Sequence, residues 1–160
     1  MSAEPAKSKH PVIDERVVEI DVADTYELRR YVLRRGTPTD NVNLDADSWP
    51  GTRHFAIRDS AGVVIATSTW GERECPLHPG VRAVQLRAMA VHDDYQGQGL
   101  GGVLVDAGYA LAADLGVEIV WANARDTALP FYASKGLDVE GDGFLTEDTR
   151  IPHHVVARCS

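Results

Sequence analysis

The fold is decided by the stretch Tyr95-Gln96-Gly97-Gln98-Gly99-Leu100-Gly101-Gly102, which joins a predicted strand to a predicted helix. Glycines let the backbone come close to a ligand. The first amides of a helix point outward with the positive end of the helix dipole behind them, so an anion can bind there without a basic side chain. The stretch therefore predicts a phosphate or pyrophosphate site, against the plainer interpretation of a helix that happens to begin with glycines.

The elements on either side of this turn have clear periodicities. A strand is predicted from Val81 to Val91, with one irregularity in its alternation near Arg82 and Ala83. After the turn, leucine, valine and alanine recur at helical spacing until Gly116 ends the predicted helix. The turn is thus a strand-to-helix connection.

The chain before this strand is predicted to contribute three strands and one helix. The strands cover residues 17–22, 54–58 and 63–70. The helix is predicted to begin with a capping box, in which the side chains of Asp24 and Glu27 each accept a hydrogen bond from the backbone amide of the other residue.

The remaining segments complete a mixed α/β pattern. Residues 37–52 are long enough, and rich enough in Pro, Asp and Asn, to predict a functional loop or lid. A strand is predicted at 118–122, a helix at 127–135, and two final strands at 137–140 and 153–158. The order predicts one sheet flanked by helices.

The composition excludes several classes of protein. The net charge of −8 argues against a nucleic-acid partner, and no apolar run approaches the roughly 20 residues of a membrane span. Residues 1–15 are predicted to be a disordered tail without a secretory signal, and residues 16–160 to form one domain. Cys75 and Cys159 lack the spacing of a metal site or a disulfide framework, which favours a cytoplasmic protein without a metal.

Two known motifs compete for the glycine turn. Gly97, Gly99 and Gly102 match the spacing of the dinucleotide fingerprint, but that motif follows its strand directly and needs an acidic residue at the end of the next strand. Here residues 92–96 intervene, and Glu118 lies at the beginning of the next strand. A dinucleotide site is therefore the weaker interpretation.

The stronger interpretation is a resemblance to the GNAT superfamily of N-acetyltransferases. The pyrophosphate turn of that family, Arg/Gln-x-x-Gly-x-Gly/Ala, is matched by Gln96, Gly99 and Gly101. The resemblance implies a mostly antiparallel sheet that splays between its fourth and fifth strands to admit the pantetheine arm of acetyl-CoA. It also implies that acetyl-CoA is bound by Met89, Ala90, Val91, Gln96, Gly97, Gln98, Gly99, Leu100, Gly101 and Asn123.

A second block, residues 123–136, resembles the family's next strand end and the helix that carries Phe-Tyr-x-x-x-Gly. The resemblance places Tyr132 near the CoA sulfur as the general acid. Many family members have asparagine seven residues before this tyrosine, where this chain has Arg125, so the role of Asn123 stays open. A Gly-Phe stretch followed by Ile-Pro-His is similar to the ElaA-like branch of the family.

Acetyl transfer requires a neutral amine, a stabilised oxyanion and a proton for the departing thiolate. The backbone amides of residues 89–91 are predicted to polarise the thioester carbonyl. The base is not fixed by the sequence. Glu72 is the first candidate, and the alternatives are Glu74, His78, His153 and His154.

The predicted function is the transfer of an acetyl group from acetyl-CoA to a primary amine, on a small molecule or a protein, by direct attack. The alternative is a non-catalytic CoA-binding regulatory or interaction module with the same fold. Tyr132 favours the enzyme, since a binding module needs no proton donor. The sequence leaves the acceptor and the oligomeric state open, and a homodimer is one of the states it allows.

Overall fold

The computed structural model describes residues 14–147 and 149–159, which form a sheet of seven strands with helices on both faces. The strands are β1 (Val17–Ile20), β2 (Arg53–Arg58), β3 (Val64–Glu72), β4 (Ala83–Val91), β5 (Ile119–Arg125), β6 (Asp138–Leu145) and β7 (Pro152–Cys159). The helices are α1 (Tyr26–Leu33), α2 (Leu100–Leu115) and α3 (Leu129–Ser134). Single 3-10 turns cover Val22–Thr25, Asp45–Ser48, Asp93–Tyr95 and Asp126–Ala128.

The predicted tail lies outside the described residues except for Asp14 and Glu15. Asp14 forms an exposed ion pair with Arg16, at 3.0 Å between Oδ2 and Nη2.

The strands follow the order β1-β2-β3-β4-β5-β7-β6, and each neighbouring pair is antiparallel except β4 with β5. This confirms the predicted mixed, mostly antiparallel sheet. A wound parallel sheet, which the dinucleotide interpretation requires, is not what these strands form.

The parallel pair of β4 and β5 ends before either strand does. Ala83 to Leu86 pair with Ile119 to Ala122, whereas residues 87–91 of β4 and 123–125 of β5 are not partners of each other. The predicted splay between the fourth and fifth strands is thus confirmed. It leaves a gap between two strands in the middle of the sheet.

The two faces of the sheet carry separate apolar clusters. On β5, Val120 belongs to the larger cluster under α2, and the adjacent Trp121 belongs to a smaller cluster on the other face, because successive residues of a strand point to opposite sides. On β3, Trp70 faces α2 whereas the adjacent Thr69 binds Arg29 of α1. Helices α1 and α2 therefore lie on opposite faces.

Helix α2 is held close to the sheet at Gly108. A Cβ atom at this position would lie 2.0 Å from Cη2 of Trp70, so only glycine allows the observed distance. Trp70 itself is fully buried, and its indole Nε1 donates a hydrogen bond to Ser68 Oγ at 2.8 Å. This packing fixes the distance between α2 and β3.

The predicted capping box at the start of α1 is wrong. Asp24 lies inside a 3-10 turn, and the N-cap of α1 is Thr25, which makes no side-chain capping bond. The reason is that the 3-10 turn runs directly into the helix, and the amide of Tyr26 already donates to the carbonyl of Ala23.

Strand β6 is longer than the predicted residues 137–140. It runs to Leu145, with a register shift against β7 between Glu140 and Phe144. Most of its residues are exposed because it is an edge strand, so no buried alternation marks its extent in the sequence.

Candidate active site

A cavity of about 280 Å³ lies where β4 and β5 diverge. Its walls come from the end of α1, Leu44 of the 37–52 loop, β4, β5, α3 with the turn before it, and the β6–β7 connection with the start of β7. Four residues that the sequence assigns to the site therefore meet at one opening: Met89, Asn123, Tyr132 and His153.

A β-bulge in β4 shapes the inner wall of this cavity. Thr67 pairs with Ala90 and Thr69 pairs with Arg87, so that two β4 residues, Ala88 and Met89, lie opposite a single β3 residue. Ala88 has a φ of +50°, a conformation that non-glycine residues rarely adopt. Both bulged residues line the cavity, which brings the backbone of β4 to the gap in the sheet.

The predicted irregularity of this strand was misplaced. It lies at Ala88 rather than near Arg82 and Ala83, and the strand begins at Ala83 rather than Val81. Alanine fits either face of a sheet, so the bulge leaves no mark in the hydrophobic pattern.

The glycine turn has the geometry of an anion site. Gly97 and Gly99 both have φ of +80°, and Gly99 is the N-cap of α2 without any side-chain capping bond. The first amides of a helix have no intrahelical partner, so those of α2 remain available to a ligand. The side chain of Gln96 donates to the carbonyl of Val91 at 3.2 Å and thereby ties the turn to the end of β4.

The predicted CoA contacts fall into two sets. Met89 and Asn123 line the cavity, while Gln96 to Gly99 are exposed beyond the end of β4. The side chains of Ala90 and Leu100 are buried, so these two residues can offer a ligand only their backbone.

Tyr132 projects from α3 into the cavity. The residue is buried, and its hydroxyl forms no hydrogen bond with any residue of the described ranges. Burial raises the pKa of Tyr132 to about 12, with a smaller opposing effect from the positive charge of Arg125. The ring packs edge-to-face on Phe131, with 5.1 Å between centroids. The hydroxyl is therefore protonated and held at the cavity.

The structure gives Glu72 no place in this cavity. The carboxylate lies at the end of β3, exposed, and accepts hydrogen bonds from Arg82 at 2.7 and 3.1 Å. The hydrogen bonds from Arg82 lower the pKa of Glu72, against a slight opposing effect of desolvation. A carboxylate in this state is a poor proton acceptor.

Three of the other proposed bases are engaged elsewhere. Glu74 accepts the amide of Gly80 at 2.9 Å. His78 lies 2.6 Å from Glu140, and His154 lies 2.6 Å from Asp126. Like Glu72, these three residues are outside the lining of the cavity.

His153 is the one proposed base that the structure brings to the cavity. It is buried at the start of β7, and its ring stacks on Phe144. Its Nδ1 lies 2.7 Å from the carbonyl of Ile151. A carbonyl only accepts hydrogen bonds, so Nδ1 carries the proton in the neutral ring and the lone pair is on Nε2.

Several polar cavity residues were not singled out from the sequence, among them Gln85, Arg87 and Arg125. Gln85 and Arg87 lie on the cavity side of β4, and Arg125 lies at the end of β5. Arg125 donates to the carbonyl of Leu33 at 2.6 Å, which joins β5 to the end of α1. Gln85 and Arg87 are two residues apart on a strand and so share one face, but only the splay makes that face part of a cavity.

The 37–52 loop is tied to the sheet by a buried ion pair. Arg29 binds both carboxylate oxygens of Asp47, at 2.9 and 3.0 Å, and also donates to Val42 and Thr69. Burial alone would raise the pKa of Asp47, but hydrogen bonds from Arg29 and the Leu44 amide outweigh it and lower the pKa. The pair holds Leu44 against the cavity.

One further group of side chains lies away from the cavity. Within the described ranges, the group of side chains that could hold a metal ion is His78, Glu140 and Cys159, whose donor atoms lie within 4.8 Å of one another. No helix in the described part of the chain is long and apolar enough to cross a membrane.

Comparison with known proteins agrees with this geometry. The family model described as "Acetyltransferase (GNAT) domain" matches residues 50–136. The uncharacterized N-acetyltransferase YitI of Bacillus subtilis strain 168 is 30% identical over 140 residues, which cover 88% of this chain and 92% of YitI.

Solved structures share the fold. An acyl-CoA N-acyltransferase from Pseudomonas aeruginosa superposes with a TM-score of 0.67 at 22% identity, over 86% of this chain and 89% of that one. ElaA of Escherichia coli superposes with a TM-score of 0.68 at 16% identity, over 89% and 98% of the two chains. The matched family model, the bacterial relative and the splayed sheet together lead to one conclusion: this chain belongs to the GNAT family of N-acetyltransferases.

Proposed function

We propose that this chain transfers an acetyl group from acetyl-CoA to a primary amine by direct attack, with Tyr132 as the proton donor. As a GNAT enzyme it uses an acyl-CoA co-substrate and an amine acceptor. The observation that carries the finer proposal is the buried, protonated Tyr132 beside the gap between β4 and β5.

The glycine turn and the splay would hold the two ends of the donor. The free amides at the start of α2 suit the pyrophosphate, and the left-handed Gly97 and Gly99 keep Cβ atoms away from it. The arm that leads to the thioester fits between the unpaired parts of β4 and β5, with Met89 and Asn123 at its sides. Backbone amides at the bulge then lie where they can polarise the thioester carbonyl.

The reaction transfers one acyl group from the thioester to the amine and, overall, one proton from the amine to the CoA thiolate. The nitrogen of the neutral amine attacks the thioester carbon, and the carbon–sulfur bond breaks. Tyr132 gives its proton to the departing thiolate, which yields free CoA. The new amide nitrogen loses one proton, which returns through the cavity to the tyrosinate, so that Tyr132 is restored.

We place the proton acceptor for the incoming ammonium at His153 rather than Glu72. His153 lines the cavity, and an imidazole is the side chain suited to accepting a proton near neutral pH. His153 and Tyr132 lie on different walls of the same cavity, which allows one group to prepare the amine while the other serves the leaving group.

A cytoplasmic location is also part of this proposal. Cys75 and Cys159 are both free thiols, which is the expected state in a reducing compartment.

Ligand-induced thermal stabilisation tests the donor. A ligand that binds only the native state raises the melting temperature by mass action. Acetyl-CoA and CoA should each raise it, and NADH should not. A shift with NADH and none with CoA would refute the proposed use of the turn. Incubation with acetyl-CoA and a panel of amines, with free thiol as the readout, then separates an enzyme from a binding module.

A further inference from the structure

One cation in the cavity, Arg87, has no counterion among the residues that the structure describes. Arg87 of β4 is half-buried and forms neither a hydrogen bond nor an ion pair with any residue in the ranges 14–147 and 149–159. Arginine stays protonated in proteins. Burying a guanidinium without a partner is costly, so the binding of an anion next to Arg87 would be favourable.

Within the described ranges, the carboxylates whose charge acts on Arg87 are those of Asp47 and Asp45, and neither forms an ion pair with it. Both carboxylate oxygens of Asp47 are bound to Arg29, and Asp45 is exposed on the loop. Arg73 adds a further positive charge in the neighbourhood. No aspartate or glutamate of the described residues lines the cavity.

A second polar group of the same wall also lacks a partner. Gln85 lies two residues before Arg87 on the same face of β4 and is 5% exposed. Its Oε1 is buried and accepts no hydrogen bond from the described residues. A buried amide oxygen without a donor is unfavourable unless a ligand supplies one.

We infer that the acceptor amine of this enzyme carries a carboxylate, which binds the guanidinium of Arg87 while Gln85 bonds a polar hydrogen of the same molecule. This rests on the proposed function and specifies its acceptor as an amino acid or a similar amine with an anionic group. Arginine binds a carboxylate through two parallel hydrogen bonds, which orients the acceptor as well as holding it.

The position of Arg87 favours the acceptor over the donor as the source of this carboxylate. Arg87 and Gln85 precede the bulge, whereas the residues predicted to contact the donor begin at Met89 and continue into the glycine turn. The overall charge of −8 would by itself suggest a purely cationic acceptor. Among the described lining residues the ionised side chains are arginines, and the charge next to the acceptor affects its binding more than the overall charge does.

The test compares matched acceptors in the wild-type protein. Each of a panel of α- and ω-amino acids is paired with its carboxamide, and thiol release from acetyl-CoA is measured for both. We expect kcat/KM for the acid to exceed that for the amide by about 30-fold or more, the lower range for losing one partner of a buried charge pair. This comparison needs no variant and is independent of folding defects.

Variants then assign the preference to one residue. Arg87→Met should lower kcat/KM for acids by about 30-fold and leave amides within a few-fold. Arg87→Lys should retain part of the preference. Arg30→Met is the matched control, because Arg30 is an exposed arginine on α1 outside the cavity, and it should behave as wild type.

Four results would overturn the inference. If the wild type uses amides as efficiently as acids, the acceptor needs no carboxylate. A preference for succinyl-CoA over acetyl-CoA that Arg87→Met abolishes would assign Arg87 to the acyl group of the donor. If a protein that binds CoA releases thiol only with amines that lack a carboxylate, the inference fails and the proposed function stands. If it releases thiol with no amine of a wider panel, the proposed function itself is refuted and the inference with it.

Discussion

A Cβ atom on Gly101 would lie 3.1 Å from Cζ of Phe131. The first turn of α2 therefore packs directly on the residue before Tyr132, so that Phe131 connects the proposed donor-binding turn with the proposed proton donor. A branched side chain at this position must displace Phe131 or the helix start.

We expect Gly101→Val to weaken CoA binding by at least tenfold, about 1.4 kcal/mol. The physical reason is displacement of the turn by the new side chain, and isothermal titration with CoA measures it. The matched control is Gly102→Ala, whose Cβ would meet Lys135 at an ordinary 3.6 Å. It should bind CoA normally. A folded Gly101→Val protein with wild-type affinity would exclude the turn from the site.

The second prediction concerns Gly108 and stability. Helix propensity alone predicts that Gly108→Ala stabilises the protein by about 1 kcal/mol. The 2.0 Å approach to Trp70 predicts the opposite sign, a destabilisation of about 1–3 kcal/mol from overpacking. Urea unfolding decides between the two signs. A more stable variant would mean that α2 does not lie this close to β3.

The third prediction concerns Tyr132→Phe, which keeps the packing on Phe131 and removes the hydroxyl. A proton given to the leaving group acts in the transition state, so the loss should appear in turnover and not in binding. We expect the single-turnover rate to fall by about 10²-fold, with acetyl-CoA affinity within a few-fold of wild type. An unchanged rate in this assay would make Tyr132 a packing residue and assign thiolate protonation to water.

The fourth prediction follows from the raised pKa of Tyr132. The folded pKa of about 12 lies above the ordinary value of 10, so folding favours the protonated phenol. This contribution is complete below pH 10 and is lost as the pH rises from 10 towards 12. Between pH 8 and 11 the wild type should lose about 1.4 kcal/mol more stability than Tyr132→Phe. Urea denaturation at several pH values measures this difference. If the free energies of unfolding of the two proteins change with pH in the same way, the hydroxyl of Tyr132 is not buried in its neutral form.

Features that depend on local chemistry could be predicted from the sequence. Gly97 and Gly99 adopt left-handed conformations that glycine tolerates best, and a helix follows them, so the turn was identifiable from a few adjacent residues. The order of strands and helices followed in the same way from short-range periodicity.

Features that depend on pairing between distant strands could not be predicted. His153 reaches the cavity because β7 pairs with β5, where it lies opposite Arg125, and no local pattern distinguishes it from His154 or Glu72. The bulge at Ala88 also leaves no recognisable pattern in the sequence, since alanine is accepted on both faces of a strand. The unpaired state of Arg87 becomes visible only once its neighbours are known.

The incomplete pairing of β4 with β5 has a consequence beyond catalysis. Past Leu86 and Ala122, neither strand supplies the other with hydrogen bonds, and a bound acyl-CoA arm between them would take the place of that missing pairing. The substrate then becomes part of the architecture, and its free energy of binding adds to the stability of the native state. It follows that the resistance of this enzyme to proteolysis, and hence its lifetime, would rise and fall with the supply of acyl-CoA around it.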